Sequence, residues 1–150
     1  MIERSRRMPE QELKRIFDAA PFVKVVGIEL VSFGSGYCET ELRILPEHMQ
    51  QTAFVHAGVL ATMADHTAGG AATTLVGPDE FILTAEFKIN FLRGAQGERL
   101  RCKGTVLKPG SNLTVVECEV FCEQGEKSRL VSKATATMAV LKKVRKPSSL

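Results

Sequence analysis

The sequence predicts an α+β domain in which one antiparallel sheet wraps around a long central helix. Three observations predict it. His56 to Leu75 is a single long stretch of mostly small and apolar residues with no Pro and no Lys or Arg, and Gly77-Pro78 closes it. Beyond it the apolar period changes from about 3.6 to about 2 residues over four strand-length segments. Before it, two more such segments flank a Gly-containing turn. With 150 residues, 44% hydrophobic and 25% charged, the chain reads as one domain, 1–150, able to bury its own core.

The elements follow in order. Pro9 to Ala20 reads as a helix, with Pro at its start, Glu10 and Glu12 early, and Leu13, Ile16 and Phe17 on one stripe; Pro21 is its stop. Val25 to Ser32 and Gly36 to Leu45 read as strands about a Phe33-Gly34-Ser35-Gly36 turn. In the second, Cys38, Thr40, Leu42 and Ile44 alternate with Glu39, Glu41 and Arg43. Pro46 to Phe54 is a loop, and His56 to Leu75 the long helix. Phe81 to Leu92, Glu98 to Leu107, Leu113 to Glu123 and Arg129 to Leu141 are the four later strands. Gly94 to Gly97, Pro109 to Asn112 and Gln124 to Glu126 are their turns. Lys142 to Leu150 is a basic, Pro- and Ser-containing terminus, better suited to fraying than to binding nucleic acid.

Ala61, Ala64, Ala68, Gly69, Gly70, Ala71 and Ala72 make the central helix thin, which permits close backbone approach, while the glycine pair lowers its propensity. With few charges to face water, it is expected to be buried on more than one side, and dimerisation is a natural way to do that.

Charge and cysteine usage narrow the class. The net charge is +3, yet no Lys or Arg lies between Ile44 and Phe87, while thirteen of the twenty fall from Lys88 onward. An apolar, weakly acidic middle thus adjoins a basic second half suited to an anionic ligand. Cys38, Cys102, Cys118 and Cys122 show no CxxC spacing and no zinc-type His/Cys cluster, so no metal or cofactor is expected, and reduced buried thiols are. The basic Met1 to Arg7 has no apolar segment after it, and no run approaches the roughly 20 residues of a membrane span. A cytoplasmic protein with no membrane or nucleic-acid partner is the expectation.

The residue that stands out is Asp65, an acid in the middle of the apolar helix. A short carboxylate competes for backbone groups there, and a buried one is costly unless paired. Catalysis is one explanation; an interface or capping acid is the other. At the helix start, His56-Ala57-Gly58 presents unpaired N–H groups and the positive end of the macrodipole.

These residues carry a resemblance. His56-Ala57-Gly58-Val59-Leu60, Asp65, and the later Thr84-Ala85-Glu86-Phe87-Lys88-Ile89-Asn90-Phe91-Leu92-Arg93 resemble the hotdog-fold acyl-CoA thioesterases of the PaaI (phenylacetate-degradation) type. The likeness runs from about Val25 to Leu141. Three positions depart from the family pattern. Ala57 replaces the first Gly of the HGG start, Gly94 replaces the Pro after Leu-Arg, and Gln50 stands where several relatives carry Asn. A backbone amide survives Gly→Ala, and Gln keeps the amide donor on a longer arm, so that role stays with Gln50 or passes to Gln51.

The resemblance implies hydrolysis of an aryl- or medium-chain acyl-CoA, with Asp65 as general base or nucleophile and the Ala57 amide, with Gly58, polarising the thioester carbonyl. It places Thr84 near the reactive water. His56 is expected to hydrogen-bond structurally at the helix start, and His66 to pack. Phe54, Val59, Met63 and Phe91 are apolar candidates for the acyl pocket, and Arg93 and Lys108 for the CoA phosphates. Arg99, Arg101 and Lys103, alternating on one strand face, are a weaker phosphate candidate. Spacing adds a constraint: residues 57 and 65 of one helix lie about 12 Å apart at ~1.5 Å per residue, too far to serve one carbonyl. Two antiparallel helices across a two-fold axis solve this, so a homodimer, or a tetramer built from two, is expected. The alternatives are a non-catalytic acyl-CoA-binding hotdog protein and a hydroxyacyl-thioester dehydratase, whose His-Phe-Pro segment is absent here.

Overall fold

The computed structural model describes residues 7–144. Two short helices, α1 (Glu10–Asp18) and α2 (Pro21–Val26), precede a hairpin of β1 (Glu29–Gly34) and β2 (Tyr37–Arg43). A single 3-10 turn, Pro46–His48, leads to the long helix α3 (Ala57–Thr73). Then come β3 (Glu80–Phe91), β4 (Arg99–Lys108), β5 (Leu113–Gln124) and β6 (Lys127–Lys142). The strands form one antiparallel sheet in the order β1-β2-β4-β5-β6-β3, and α3 touches all six. This is the α+β hotdog arrangement expected. Because α3 carries the chain across the sheet, β3 lands at the edge far from β1. The expected readings of Met1 to Arg7 and of the basic tail lie largely outside the described residues.

One boundary differs. Pro21 was expected to stop the first helix and Val25 to open a strand; instead Pro21 is the first residue of α2. Proline suits that position, since its missing N–H would be unpaired there and its φ is preset. Gly27, at φ 90°, ends α2 in the left-handed region and its N–H bonds Val23 O at 2.9 Å. The first strand therefore starts at Glu29 and absorbs Phe33 and Gly34, which had been expected in the turn. Likewise the β5–β6 turn shrinks to Gly125-Glu126, with Gly125 at φ 58°.

The core lies between α3 and the concave face of the sheet. Leu60, Met63, Ala64, Thr67, Ala68, Ala71 and Ala72 form the buried stripe of α3. Leu42, Leu100, Val116, Val120 and Met138 meet it from the strands, each fully buried and so stabilising by roughly 1.5–3 kcal/mol. Helix and sheet approach closely: a Cβ on Gly104 would sit 3.1 Å from Thr67 O. Thr67 donates its hydroxyl to Met63 O, so Thr40 is the donor in the buried 2.7 Å bond between the two threonines. The four cysteines are free and buried, and burial pushes the Cys38 thiol up to about 12, so it is a packing group rather than a nucleophile. Among the described residues no helix is long and apolar enough to cross a membrane.

Candidate active site

The site begins with the loop that launches α3. His48 is buried, its Nε2 donates to Val26 O at 2.6 Å, and its Nδ1 accepts the Leu45 N–H at 3.0 Å. Its ring proton is therefore on Nε2. His48 O accepts the His56 N–H at 2.8 Å, and Val55 N–H donates to Ala95 O at 2.9 Å. The start of α3 is thus pinned both to the end of α2 and to the segment after β3. Nothing in the sequence marks His48, an imidazole two residues after Pro46 with no metal-ligand or nucleophile spacing around it.

His56 is the N-cap of α3, and its Nδ1 accepts the Gly58 N–H at 2.8 Å. This is the structural role expected of His56. It also removes Gly58 from the expected carbonyl-polarising pair, because its amide already has an acceptor. Gly58 is required in another way: a Cβ there would lie 2.9 Å from His56 Nδ1. The Ala57 N–H, at the first position of the helix, has no helical partner and remains the exposed donor at the positive end of α3.

Asp65 lies two turns further along. Thr84 Oγ1, on β3, donates to its Oδ1 at 2.6 Å, joining the two residues singled out for the reacting water. A β-bulge at Ala85 makes that contact possible. Pairing with β6 shifts between Thr84 and Glu86, so Ile82 and Thr84 face α3 before the bulge and Phe87, Ile89 and Phe91 take the same side after it. Their β6 partners Met138, Ala136, Ala134 and Ser132 are all buried, which identifies that side as the concave one. Without the extra residue, Phe87 and Phe91 would point outward and Glu86 and Lys88 inward.

The remaining candidates separate. Gln50 Nε2 donates to Thr52 Oγ1 at 2.6 Å within the loop, and Gln51 is exposed beside it. Arg93 Nη1 donates to Leu130 O at 3.0 Å at one end of the sheet, while Lys108 ends β4 at the other, so one chain does not bring them together. Of the proposed pocket residues, Met63 is wholly buried in the core, and Phe54 lies over Gly94, where any side chain at position 94 would strike its ring at 2.6 Å. Arg99 and Arg101 are not free for phosphate. Arg101 lies 3.1 Å from Glu39, 3.6 Å from Glu41 and 3.5 Å from Glu123, and Arg99 shares the last two carboxylates. Lys103 sits 5.7 Å over the Phe121 ring. His66 packs on Phe17 with ring centroids 4.1 Å apart, as expected of a packing histidine.

The thioesterase superfamily model matches residues 52–128, half of the chain, taking in His56, Ala57, Asp65 and Thr84. The chain belongs to the thioesterase superfamily. It is a thioester hydrolase by that membership, and the dyad and helix start just described fall within the matched span. A 1,4-dihydroxy-2-naphthoyl-CoA hydrolase of Listeria monocytogenes is 27% identical over 120 residues, 80% of this chain and 95% of its own. A solved thioesterase family protein of Silicibacter pomeroyi superposes with a TM-score of 0.86 at 32% identity, covering 88% of this thioesterase and 97% of its own chain. The PaaI protein of the Escherichia coli phenylacetic acid degradation operon superposes with a TM-score of 0.79 at 16% identity over 89% and 94%, a likeness of fold.

Proposed function

We propose that the protein is a PaaI-type acyl-CoA thioesterase whose active site forms between two subunits of a homodimer. The observation that carries this reading is the separation, on one helix, of a free amide at Ala57 from a carboxylate at Asp65 held by Thr84. Asp65 is level with Thr84. Because α3 runs antiparallel to β3, Ala57 lies ~12 Å away, level with about residue 88 at ~3.3 Å per strand residue. Antiparallel self-pairing of β3 about a centre near residue 86 brings those two levels together across the dyad. The midpoint of Glu80–Phe91 falls between Ala85 and Glu86, so the strand pairs about its own middle.

The edge is suited to it. β3 is twelve residues long, bonds β6 on one side, and among the described residues has no strand on the other. Leu83 is 53% exposed and Phe91 50%, an apolar edge that an isolated chain would leave open to aggregation. The same pairing sets Arg93 of one subunit opposite Asp79 of the other, at the end where Lys108 closes β4 and Lys142 and Lys143 line a groove of about 640 Å³. Cations that are far apart in one chain thereby meet at one mouth, fit for the phosphates of CoA. Phe81, Leu83, Leu113 and Leu141 form a further apolar cluster on the convex face, suited to pairing dimers into a tetramer.

In the reaction the thioester oxygen accepts the Ala57 N–H as negative charge develops on it. As base, Asp65 takes a proton from water while the hydroxyl oxygen attacks the carbonyl carbon. The C–S bond then breaks, and the thiolate leaves with a proton returned from Asp65. As nucleophile, the carboxylate attacks the carbonyl carbon directly, the C–S bond breaks and the thiolate leaves. Water then cleaves the resulting anhydride, regenerating Asp65 and giving up a proton to the thiolate. Either route needs the carboxylate free of strong pairing, and among the described residues the half-buried Asp65 is bonded by a single hydroxyl donor, that of Thr84.

The test is thiol release over an acyl-CoA panel by the purified full chain, with its size measured in the same buffer. Hydrolysis by a dimer or larger assembly, lost in Asp65→Ala with ligand binding kept, supports the reading. Full turnover by a monomer, or unchanged turnover in Asp65→Ala, removes it.

A further inference from the structure

Beside the Asp65–Thr84 pair lies a cavity of about 170 Å³, roofed by α1 and walled by α3, β1 and β3. Its lining includes Ile16 and Phe17 of α1, Leu30 of β1, His66 and Gly69 of α3, and Ile82 of β3. Two of these connect it to the site. Gly69 is one helical turn, ~6 Å, beyond Asp65 on the same face of α3. Ile82 is two residues before Thr84 on the same face of β3.

The neighbouring glycines of α3 differ in a way packing does not explain. A Cβ on Gly70 would lie 2.7 Å from Cys38 Sγ, so Gly70 is there for close approach. A Cβ on Gly69 would meet nothing within 4 Å. Glycine in a helix interior costs about 1 kcal/mol relative to alanine, and here no neighbour demands it. What Gly69 preserves is open space between the carboxylate and the cavity.

Apart from His66 Nε2, which is buried without a hydrogen-bond partner among the described residues, the walls call for an apolar guest. The Thr73 hydroxyl is bonded to Gly69 O at 2.7 Å, and Thr74 Oγ1 is bonded to Ala71 O and the Gly36 N–H at 2.7 and 2.8 Å. Burial holds the His66 imidazole below its ordinary range, against the pull of Asp65, so it is uncharged at neutral pH. The space is open on one side, and its ~170 Å³ is of the size that holds one benzene-sized group.

We propose that this cavity takes the distal, apolar part of the acyl group, up to about one aromatic ring in size, and that Gly69 and Ile16 set acyl-chain selectivity. It rests on the thioesterase reading, and the test keeps the two apart. Thiol release is measured with acetyl-, hexanoyl-, decanoyl- and phenylacetyl-CoA for the parent, Gly69→Leu and Ile16→Ala proteins. Gly69→Leu fills the space while improving helix propensity. It is expected to lower kcat/KM for hexanoyl- and phenylacetyl-CoA at least about tenfold, with acetyl-CoA little changed. Ile16→Ala enlarges the roof and is expected to shift preference the other way, raising the decanoyl-to-hexanoyl ratio severalfold. A folding defect does not produce opposite shifts, and if Gly69→Leu fails to fold, Ile16→Ala carries the test.

Calorimetric binding of the same panel to Asp65→Asn versions reads the cavity apart from turnover. If no acyl-CoA is hydrolysed by the parent, the thioesterase reading falls, and the binding profile alone judges the cavity. A uniform loss across chain lengths, an unchanged profile in both variants, or a Gly69→Leu protein that is monomeric would overturn the proposal, the last because the space then belongs to the subunit interface.

Discussion

A Gly58→Ala substitution should reduce activity severely while leaving stability almost where it was. The added methyl would lie 2.9 Å from His56 Nδ1 and 3.3 Å from Cε1, closer than such carbons come, so the imidazole must rotate away. The 2.8 Å bond from the Gly58 N–H is then broken. Loss of an N-cap costs about 1 kcal/mol, and replacing helical glycine by alanine returns up to about 1 kcal/mol. The net change is therefore within about 1 kcal/mol, a melting shift of a few degrees at most for a domain this size. Activity has no such compensation. The Ala57 donor loses the cap that fixes its direction, and a ~1 Å misplacement of a catalytic group costs about a hundredfold. Thiol-release kcat/KM beside a thermal melt gives the two numbers. His56→Ala should show a similar loss, and adding Gly58→Ala to it should cost little more, since both act through one bond. A Gly58→Ala protein within about threefold of the parent, melting at the same temperature, would refute the placement of the donor at Ala57.

The other predictions concern the carboxylate, the edge strand and the buried histidine. Asp65→Asn should abolish measurable hydrolysis in the same assay, whereas Thr84→Val, which removes the 2.6 Å hydrogen bond to Asp65 but not the acid, should lower kcat about tenfold. Phe87→Lys on the open half of β3 should yield a soluble monomer by light scattering with turnover lost; an active monomer counts against the shared site. His66, whose folded pKa is depressed by burial, stays neutral while the unfolded chain takes up a proton, so stability should fall as pH drops below about 6.5 until the folded group also protonates. His66→Leu should flatten that acid limb in melts run across pH, and an identical pH dependence would show that the penalty lies elsewhere.

Much of the site was legible because local chemistry marks it. An acid in an otherwise apolar helix and a His-Ala-Gly start are visible as residue types; in the structure the acid lies against Thr84 of β3, and His56 is the N-cap of α3. Gly58 was legible only as a position: whether its amide faces a substrate or its own N-cap depends on the His56 rotamer, which no spacing reports. Arg99 and Arg101 misled for a related reason. Alternation showed that they share a face, but the carboxylates beside them come from β2 and β5, more than twenty residues away in either direction. His48 went unnoticed because both partners of its ring are backbone groups, which carry no sequence signature.

What the sequence determined by itself is periodicity and punctuation. The change from helical to alternating pattern, the glycine and proline stops, and the thinness of α3 were enough for six strands about one helix. Tertiary structure decided the rest: that Pro21 opens a helix, that a bulge at Ala85 turns Thr84 toward Asp65, and that β3 ends at a bare edge. These depend on which backbone groups find partners across the fold, and pairing between distant segments is settled only when the chain closes on itself.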